Sequence, residues 1–293
     1  MIFSHTLTDR QRRFVGLADE LGAYFAVRAP HYDYTGDFPF ENYTDLHQSG
    51  YLRLVVPGEY GSEGADVFEM VLAQEHLAYG DGATAMAVNM LIHLVGHLNQ
   101  QRFWPEPIFA EICRAIVNEG ALINAVISEP DLGSASRGGV PQTTARPTAG
   151  GWLINGHKIF VTMAPVLRYF VVSVYLEPSR TNPQGEVANA IVQAGTPGIR
   201  QVDTWRTSLS LRTCGNYDVY FENVFVADAW LINRRPIDQP PPPPWFSGWN
   251  LKFLEHVVVL PGIGNANTGN RAILSRKGGT RWHRPARERA GYP

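Results

Sequence analysis

The chain has 293 residues, of which 44% are hydrophobic and 18% are charged, and its formal net charge is −2. This balance is typical of a soluble globular protein, and so small a net charge favours neither nucleic acid nor a membrane surface as a partner. The first residues lack the basic and apolar regions of a signal peptide, and no apolar run approaches the ~18 residues of a membrane span, so we expect a cytoplasmic protein.

Helical periodicity extends to about residue 120. After a start signal at Thr8-Asp9, apolar residues recur at helical spacing as far as Phe25, which predicts a first helix that ends before Pro30. A short helix over 40–49 is predicted to close at Gly50 in a left-handed conformation. Residues 66–80 and 105–120 read as two further helices, and 83–98 are apolar on nearly every side, as in a buried helix.

From about residue 121 the pattern alternates with the period of a β-strand. Strands are predicted within 124–128, 169–176, 187–194 and 217–226. In GWLINGHKIFVT (151–162), two β-type runs flank Asn155-Gly156, a pair well suited to a type I′ turn, which predicts a hairpin. Helices followed by strands indicate an α+β fold, with a helical domain over 1–120 and a β-domain over 121–235.

The last segment, 236–293, opens with five consecutive prolines, which are typical of a stiff extended spacer. One apolar stretch, WNLKFLEHVVVL, follows at 249–260. The remaining tail is rich in Arg and Pro, has almost no apolar periodicity, and is predicted to be disordered.

Several familiar motifs are excluded by their spacing. GWLINGHK lacks the lysine of a phosphate loop, GIGNANTG lacks the third glycine of a dinucleotide fingerprint, and no G-x-S-x-G esterase elbow is present. The two cysteines give neither a disulfide framework nor a metal-binding spacing. His93 and His97 lie four residues apart without a third ligand nearby, so we expect no metal site and interpret His93 as facing a buried ligand.

Five stretches in order carry a resemblance that spans about residues 5 to 235. They are residues 38–90, AVISEPDLGSAS (125–136), GGWLINGHKIFVT (150–162), residues 185–205 and YDVYFENVFV (217–226). The first resembles the N-terminal helical domain of acyl-CoA dehydrogenases, the second and third resemble the two flavin signatures of that family, and the last two resemble the rest of its middle domain. The resemblance implies an all-helical N-terminal domain and an antiparallel, β-barrel-like middle domain.

The same resemblance implies FAD as cofactor and an acyl-CoA thioester as substrate. The first signature, Ala125, Val126, Ile127 and Ser128, would lie against the flavin, and Ser134 at its end would contact both flavin and acyl-CoA. In the second signature, Phe160 would pack on the flavin while Val161 and Thr162 line its edge, Thr162 near N5. The implied reaction removes the proton α to the thioester carbonyl and transfers the β-hydrogen to flavin N5 as hydride. The implied electron acceptor is an electron-transfer flavoprotein or a similar protein.

The chain departs from the family pattern most strongly at its C-terminus. Complete members carry a four-helix bundle there, which supplies oligomer contacts, contacts to the adenine end of FAD, and commonly a catalytic glutamate. The 58 residues after 235 cannot form that bundle, which leaves Glu255 as the one candidate base in the segment. Within the signatures, Ala135 replaces the usual Asp. Two alternatives therefore stay open: a monooxygenase of the same fold with His93 close to the flavin, and a non-catalytic or degenerate chain.

Overall fold

The computed structural model describes residues 7–131, 139–178 and 183–239. Its N-terminal part is helical. The helices are α1 (Asp9–Thr35), α2 (Phe40–Gln48), α3 (Val67–Gly80), α4 (Gly82–Gln101) and α5 (Glu106–Glu119). Helix α5 ends at Glu119, and the first strand begins three residues later, so the helices precede the strands as the α+β prediction requires. The division of the chain into domains stays a prediction.

The starts of two helices follow local capping signals. The Thr8 hydroxyl accepts a hydrogen bond from the backbone N–H of Gln11, and the Gln11 side-chain oxygen accepts one from the backbone N–H of Thr8. Asp66 and Glu69 form the same capping box at α3. The predicted left-handed residue after α2 is also present, since Gly50 has φ 84°.

The predicted end of α1 before Pro30 is wrong, because the helix continues to Thr35 with Pro30 inside it. A proline removes one helical hydrogen bond, but Pro30 lies on the exposed face, where water can hydrate the carbonyl left without a partner. Contacts to α2 hold the turns around Pro30 instead, since Arg28 donates to Asp45 and Tyr32 donates to Glu41. Helix α3 packs on the earlier part of α1, up to the close approach of Gly22 and Gly80. The helix ends at Gly36, whose N–H donates to the Tyr32 carbonyl over 2.8 Å.

Eight strands form one sheet among the described residues. They are β1 (Leu122–Val126), β2 (Thr144–Thr148), β3 (Gly151–Val161), β4 (Leu167–Leu176), β5 (Glu186–Gln193), β6 (Ile199–Val202), β7 (Tyr217–Ala227) and β8 (Leu231–Pro236). The order is β6-β7-β3-β2-β4-β5-β8, with β1 paired to β4. The pairings are antiparallel except that β1 and β2 both run parallel to β4. The fold class is confirmed, but the path through the sheet is open rather than a closed barrel.

The hairpin predicted at Asn155-Gly156 is wrong. Strand β3 runs straight through this pair, bonded to β2 on one side and β7 on the other, and the tight turn lies earlier, where Gly150 has φ 74°. A β-carbon on Gly156 would lie 2.4 Å from the Thr143 hydroxyl oxygen. Glycine is therefore required here by a close side-chain approach and a register shift in β3, not by a turn.

Candidate functional site

The first candidate segment lies at the carboxyl end of β1. The side chains of Ala125, Ile127 and Ser128 are partly accessible, whereas Val126 points into the core with 2% exposure. This alternation is the ordinary two-residue period of a strand. Only main-chain groups of Val126 are therefore available to a ligand on the accessible side.

The second candidate segment is the carboxyl end of β3, where the strand is irregular. The pairing with β7 shifts between Lys158 and Val161, and Phe160 adopts φ 54°, in the left-handed region that bulky residues avoid. The consequence is that the Phe160 ring is 56% exposed, while the neighbouring Val161 is buried in the core. Bulges of this kind re-aim side chains and are frequent next to active sites.

One other aromatic side chain supports the exposed ring. Trp205 meets Phe160 edge to face, with ring centroids 5.7 Å apart and an interplanar angle of 88°. The indole N–H donates to the Leu211 carbonyl over 2.9 Å, and the backbone N–H of Trp205 donates to Asp203 over 3.1 Å. Trp205 is thus held in place, and it was not among the residues predicted from the sequence.

The two segments are joined at both of their ends by hydrogen bonds. The Ile159 N–H donates to the Ser128 carbonyl over 3.0 Å, and the Asn124 side-chain amide donates to the Thr162 carbonyl over 3.0 Å. The two sequence-predicted segments, 125–128 and 160–162, are therefore brought side by side by contacts that no local pattern predicts.

A buried ion pair lies next to the Ile159–Ser128 contact, since Glu129 follows Ser128 and Lys158 precedes Ile159. The Lys158 ammonium donates to Glu129 over 2.7 Å, and both side chains are almost completely buried. The same carboxylate accepts from the Thr143 hydroxyl over 2.6 Å, from the Thr143 N–H over 2.9 Å and from the Gln142 N–H over 2.7 Å. The glutamate of the Glu-Pro pair at 129–130 thus has a structural role, since Glu129 binds residues in two other parts of the chain, 142–143 and Lys158.

The pKa values of this pair follow from burial and from their mutual contact. Burial alone raises the pKa of Glu129, but the hydrogen bonds from Lys158, Thr143 and Gln142 outweigh it and hold that pKa below its ordinary value. Burial lowers the pKa of Lys158, and the contact with Glu129 opposes that shift. Both residues were missed by sequence reasoning, although a lysine within the apolar strand β3 was a usable signal.

The chain beyond Thr162 is anchored to the 3₁₀ turn Arg212–Cys214. Met163 N–H donates to the Cys214 carbonyl over 3.0 Å, and Ala164 N–H donates to the Gly215 carbonyl over 3.2 Å. The Cys214 thiol in turn donates to the Ala83 carbonyl in the first turn of α4 over 3.2 Å. The end of β3 is therefore connected to α4 as well as to β1.

His93 lies on α4, the helix that packs against β1, and its side chain is buried. Its ring is nearly parallel to that of His97, at a centroid distance of 6.3 Å. Within the described residues no three His, Cys, Asp or Glu side chains gather as a metal site would need. The role of His93 toward a ligand stays a prediction.

Two predicted site residues, Ser134 and Glu255, lie outside the described residues, as do the proline run and the basic tail. The assignments made for them stay predictions. Among the helices that are described, none is both long and apolar enough to cross a membrane.

The chemistry of the described residues fits a flavin. A planar, largely apolar ring system requires an aromatic face and a few polar groups in fixed positions. Phe160 offers the exposed aromatic face, and Ser128 and Thr162 offer partly accessible hydroxyl groups at the ends of two strands bonded to each other.

Comparison with protein families gives two matches that follow each other along the chain. Residues 8–110 match the model described as acyl-CoA dehydrogenase, N-terminal domain, and residues 124–224 match the model described as acyl-CoA dehydrogenase, middle domain. The second match includes both candidate segments and the ion pair between them.

Curated relatives carry more than one activity in their names. A putative acyl-CoA dehydrogenase, YdbM of Bacillus subtilis, is 32% identical over 224 residues, which cover 76% of this chain and 57% of that protein. The L-evernosamine nitrososynthase of a Micromonospora species is 29% identical over 241 residues, covering 79% and 54% respectively. The chain spans about half the length of the curated relatives it matches.

Solved structures agree on the fold. Butyryl-CoA dehydrogenase from Megasphaera elsdenii superposes with a TM-score of 0.77 at 21% identity, covering 97% of this chain and 73% of that one. KijD3, solved with FMN and a dTDP-linked amino sugar, superposes with a TM-score of 0.81 at 23% identity, covering 96% and 67%. The two consecutive domain matches, together with this common fold, show that the chain belongs to the acyl-CoA dehydrogenase family of flavoprotein oxidoreductases.

Proposed function

We propose that this chain binds FAD between residues 125–128 and 160–162 and oxidises the α,β-carbon bond of an acyl-CoA thioester. The observation that carries the proposal is the junction of the two segments through the Ile159–Ser128 hydrogen bond, with the Phe160 ring exposed beside it. A bound flavin supplies the hydride-accepting chemistry of this oxidation.

The chain's own residues would bind and orient the flavin. Phe160 would cover one face of the ring system, the Ser128 and Thr162 hydroxyl groups would form hydrogen bonds at its edge, and Ser134 would contact the thioester. Removal of the α-proton requires a positioned carboxylate, because this proton is weakly acidic. Glu255 is the proposed base.

Flavin binding is tested on the purified 293-residue chain by titration with FAD and, separately, with FMN. Bound oxidised flavin should absorb at about 450 nm. Phe160→Ala should weaken binding by about tenfold, which corresponds to an aromatic contact of about 1.4 kcal/mol. Phe225→Ala is the matched control, because Phe225 is also half-exposed on the same sheet, near the other end of β3. Equal affinity of wild type and Phe160→Ala would refute the assignment of the site.

The reaction is tested with a range of saturated acyl-CoAs and an artificial electron acceptor in excess FAD. Turnover that disappears in Glu255→Gln supports the proposed base, whereas turnover unchanged in that variant refutes it. Ser134→Ala should weaken acyl-CoA binding a few-fold to about tenfold, since a lost hydrogen bond costs about 0.5–1.5 kcal/mol. An electron-transfer flavoprotein is the proposed natural acceptor.

A second candidate function is oxygenation of an amino sugar. Two nitrososynthases among the curated relatives, at 29% and 30% identity, favour it. The distinguishing measurement is oxygen consumption with chemically reduced flavin in the presence of a nucleotide-linked amino sugar. Oxygen uptake that forms an oxidised amine, without oxidation of acyl-CoA, would replace the dehydrogenase proposal. Flavin retention without either reaction would favour a non-catalytic subunit.

A further inference from the structure

The Glu129–Lys158 ion pair is buried in the core, where an ion pair adds little to the net stability of the fold. Both charged groups lose almost all contact with water, and the cost of that desolvation commonly cancels the attraction between them. Such pairs are therefore weak contributors to net stability. Their best-supported use is to specify one arrangement of the chain over alternatives.

The position of the pair in the sequence indicates which arrangement it specifies. Glu129 follows directly after segment 125–128, and Lys158 precedes Phe160 by two residues. Lys158 also donates to the Ile127 carbonyl over 3.4 Å, so its ammonium contacts both the main chain and the carboxylate at the end of the first segment.

The backbone at Phe160 supplies an independent observation. Its φ of 54° is a conformation that costs energy for a bulky residue and persists only where the surroundings hold it. The shift of β3 against β7 falls between Lys158 and Val161, so Lys158 is the last residue in regular register before the irregular turn of the chain. The ion pair therefore fixes the strand immediately before the strained residue.

We propose that Glu129 and Lys158 are positioning residues, whose ion pair holds Phe160 in its exposed, left-handed conformation beside segment 125–128. The Phe160 ring, rather than either charged group, would touch the flavin. This inference rests on the proposed function for its ligand, but its structural part is measurable in the chain without flavin.

The central variant is the double substitution Glu129→Gln and Lys158→Met, which removes both charges and leaves no unpaired ion in the core. Glutamine at 129 keeps an oxygen that can accept from Thr143, so we expect the protein to fold with a cooperative thermal transition. Lys158→Arg is the conservative variant that retains the charge. Ile191→Val, in the buried part of β5, is the control for a modest loss of stability away from the pair.

Hydrogen–deuterium exchange of the flavin-free chain is the first measurement. In the double variant, exchange should rise at least tenfold in peptides covering 125–131 and 158–163, and stay unchanged in β5. Ile191→Val should leave both site peptides as in wild type. Unchanged exchange at 158–163 in the double variant would overturn the proposal, whatever the outcome of flavin binding.

Flavin binding is the second measurement. The double variant should bind FAD at least tenfold more weakly and show an altered visible spectrum of the bound flavin, and Lys158→Arg should recover most of the affinity. The double variant binding with wild-type affinity and spectrum would also overturn the proposal. A wild-type chain that binds no flavin refutes the proposed function instead, while the exchange data still decide whether the pair positions Phe160.

Discussion

Replacing Gly156 by alanine tests whether close packing, rather than a turn, requires glycine in the middle of β3. A β-carbon at this position would lie 2.4 Å from the Thr143 hydroxyl oxygen and 2.6 Å from each of the Thr143 Cβ and Cγ2 atoms. Thr143 cannot turn away freely, because its hydroxyl and its N–H both donate to the buried carboxylate of Glu129.

The expected cost follows from the two ways in which the clash can be relieved. If Thr143 stays, the added methyl group over-packs the core, which costs about 1–3 kcal/mol. If Thr143 rotates away, it gives up a hydrogen bond to a charged acceptor, which is worth about 1.5–3 kcal/mol. Either route therefore lowers the free energy of unfolding by about 1–3 kcal/mol, which for a large chain lowers Tm by about 2–12 °C.

The assay is urea unfolding at pH 7, with stability taken from the midpoint at an unchanged m value. Gly16→Ala is the matched control: Gly16 lies in α1 with open space around its Cα, and alanine should stabilise the helix there by about 0.5–1 kcal/mol. In a Thr143→Gly background, which removes all three clashing atoms, Gly156→Ala should cost at least about 1 kcal/mol less than in wild type. A Gly156→Ala protein within about 0.5 kcal/mol of wild type, or an equal cost in both backgrounds, would refute the reasoning.

Three further outcomes are expected. Burial raises the pKa of the Cys113 thiol to about 12, and burial also raises the pKa of the Cys214 thiol. Neither thiol should therefore react with a thiol reagent at pH 8 until the chain is unfolded. Rapid labelling of the native protein would contradict this. Because the folded-state pKa of Glu129 is lowered from 4.5, its contribution to stability is present above about pH 4.5 and is lost as the pH falls through that lower value. The free energy of unfolding, measured in urea between pH 7 and pH 3.5, should therefore fall less steeply for Glu129→Gln than for wild type. Equal falls in the two proteins would contradict this contribution of Glu129. Trp205→Leu removes the edge contact to Phe160 and should weaken FAD binding a few-fold, about 0.5–1 kcal/mol, as measured by titration; unchanged affinity would show that Phe160 needs no such support.

Local signals in the sequence determined the helices and the order of the elements. The capping boxes at Thr8 and Asp66 and the left-handed Gly50 act over three or four residues, and the structure has helix boundaries at those places. The change from helical to alternating periodicity near residue 121 likewise separates α5 from β1. The two candidate segments also stand out in the sequence, because each is a motif of neighbouring residues.

Tertiary structure decided the features that depend on distant partners. Pro30 stays inside a helix because residues on either side of it bond to α2. Asn155-Gly156 stays extended because β2 and β7 pair with both edges of β3, which overrides a strong local preference for a turn. The contact of Lys158 with Glu129 spans 29 residues, and that of Trp205 with Phe160 joins a loop to a strand. Propensity and periodicity describe each segment alone, whereas these contacts form only after separate segments meet. The residues that hold the candidate site in place are therefore visible in the folded chain but not in its motifs.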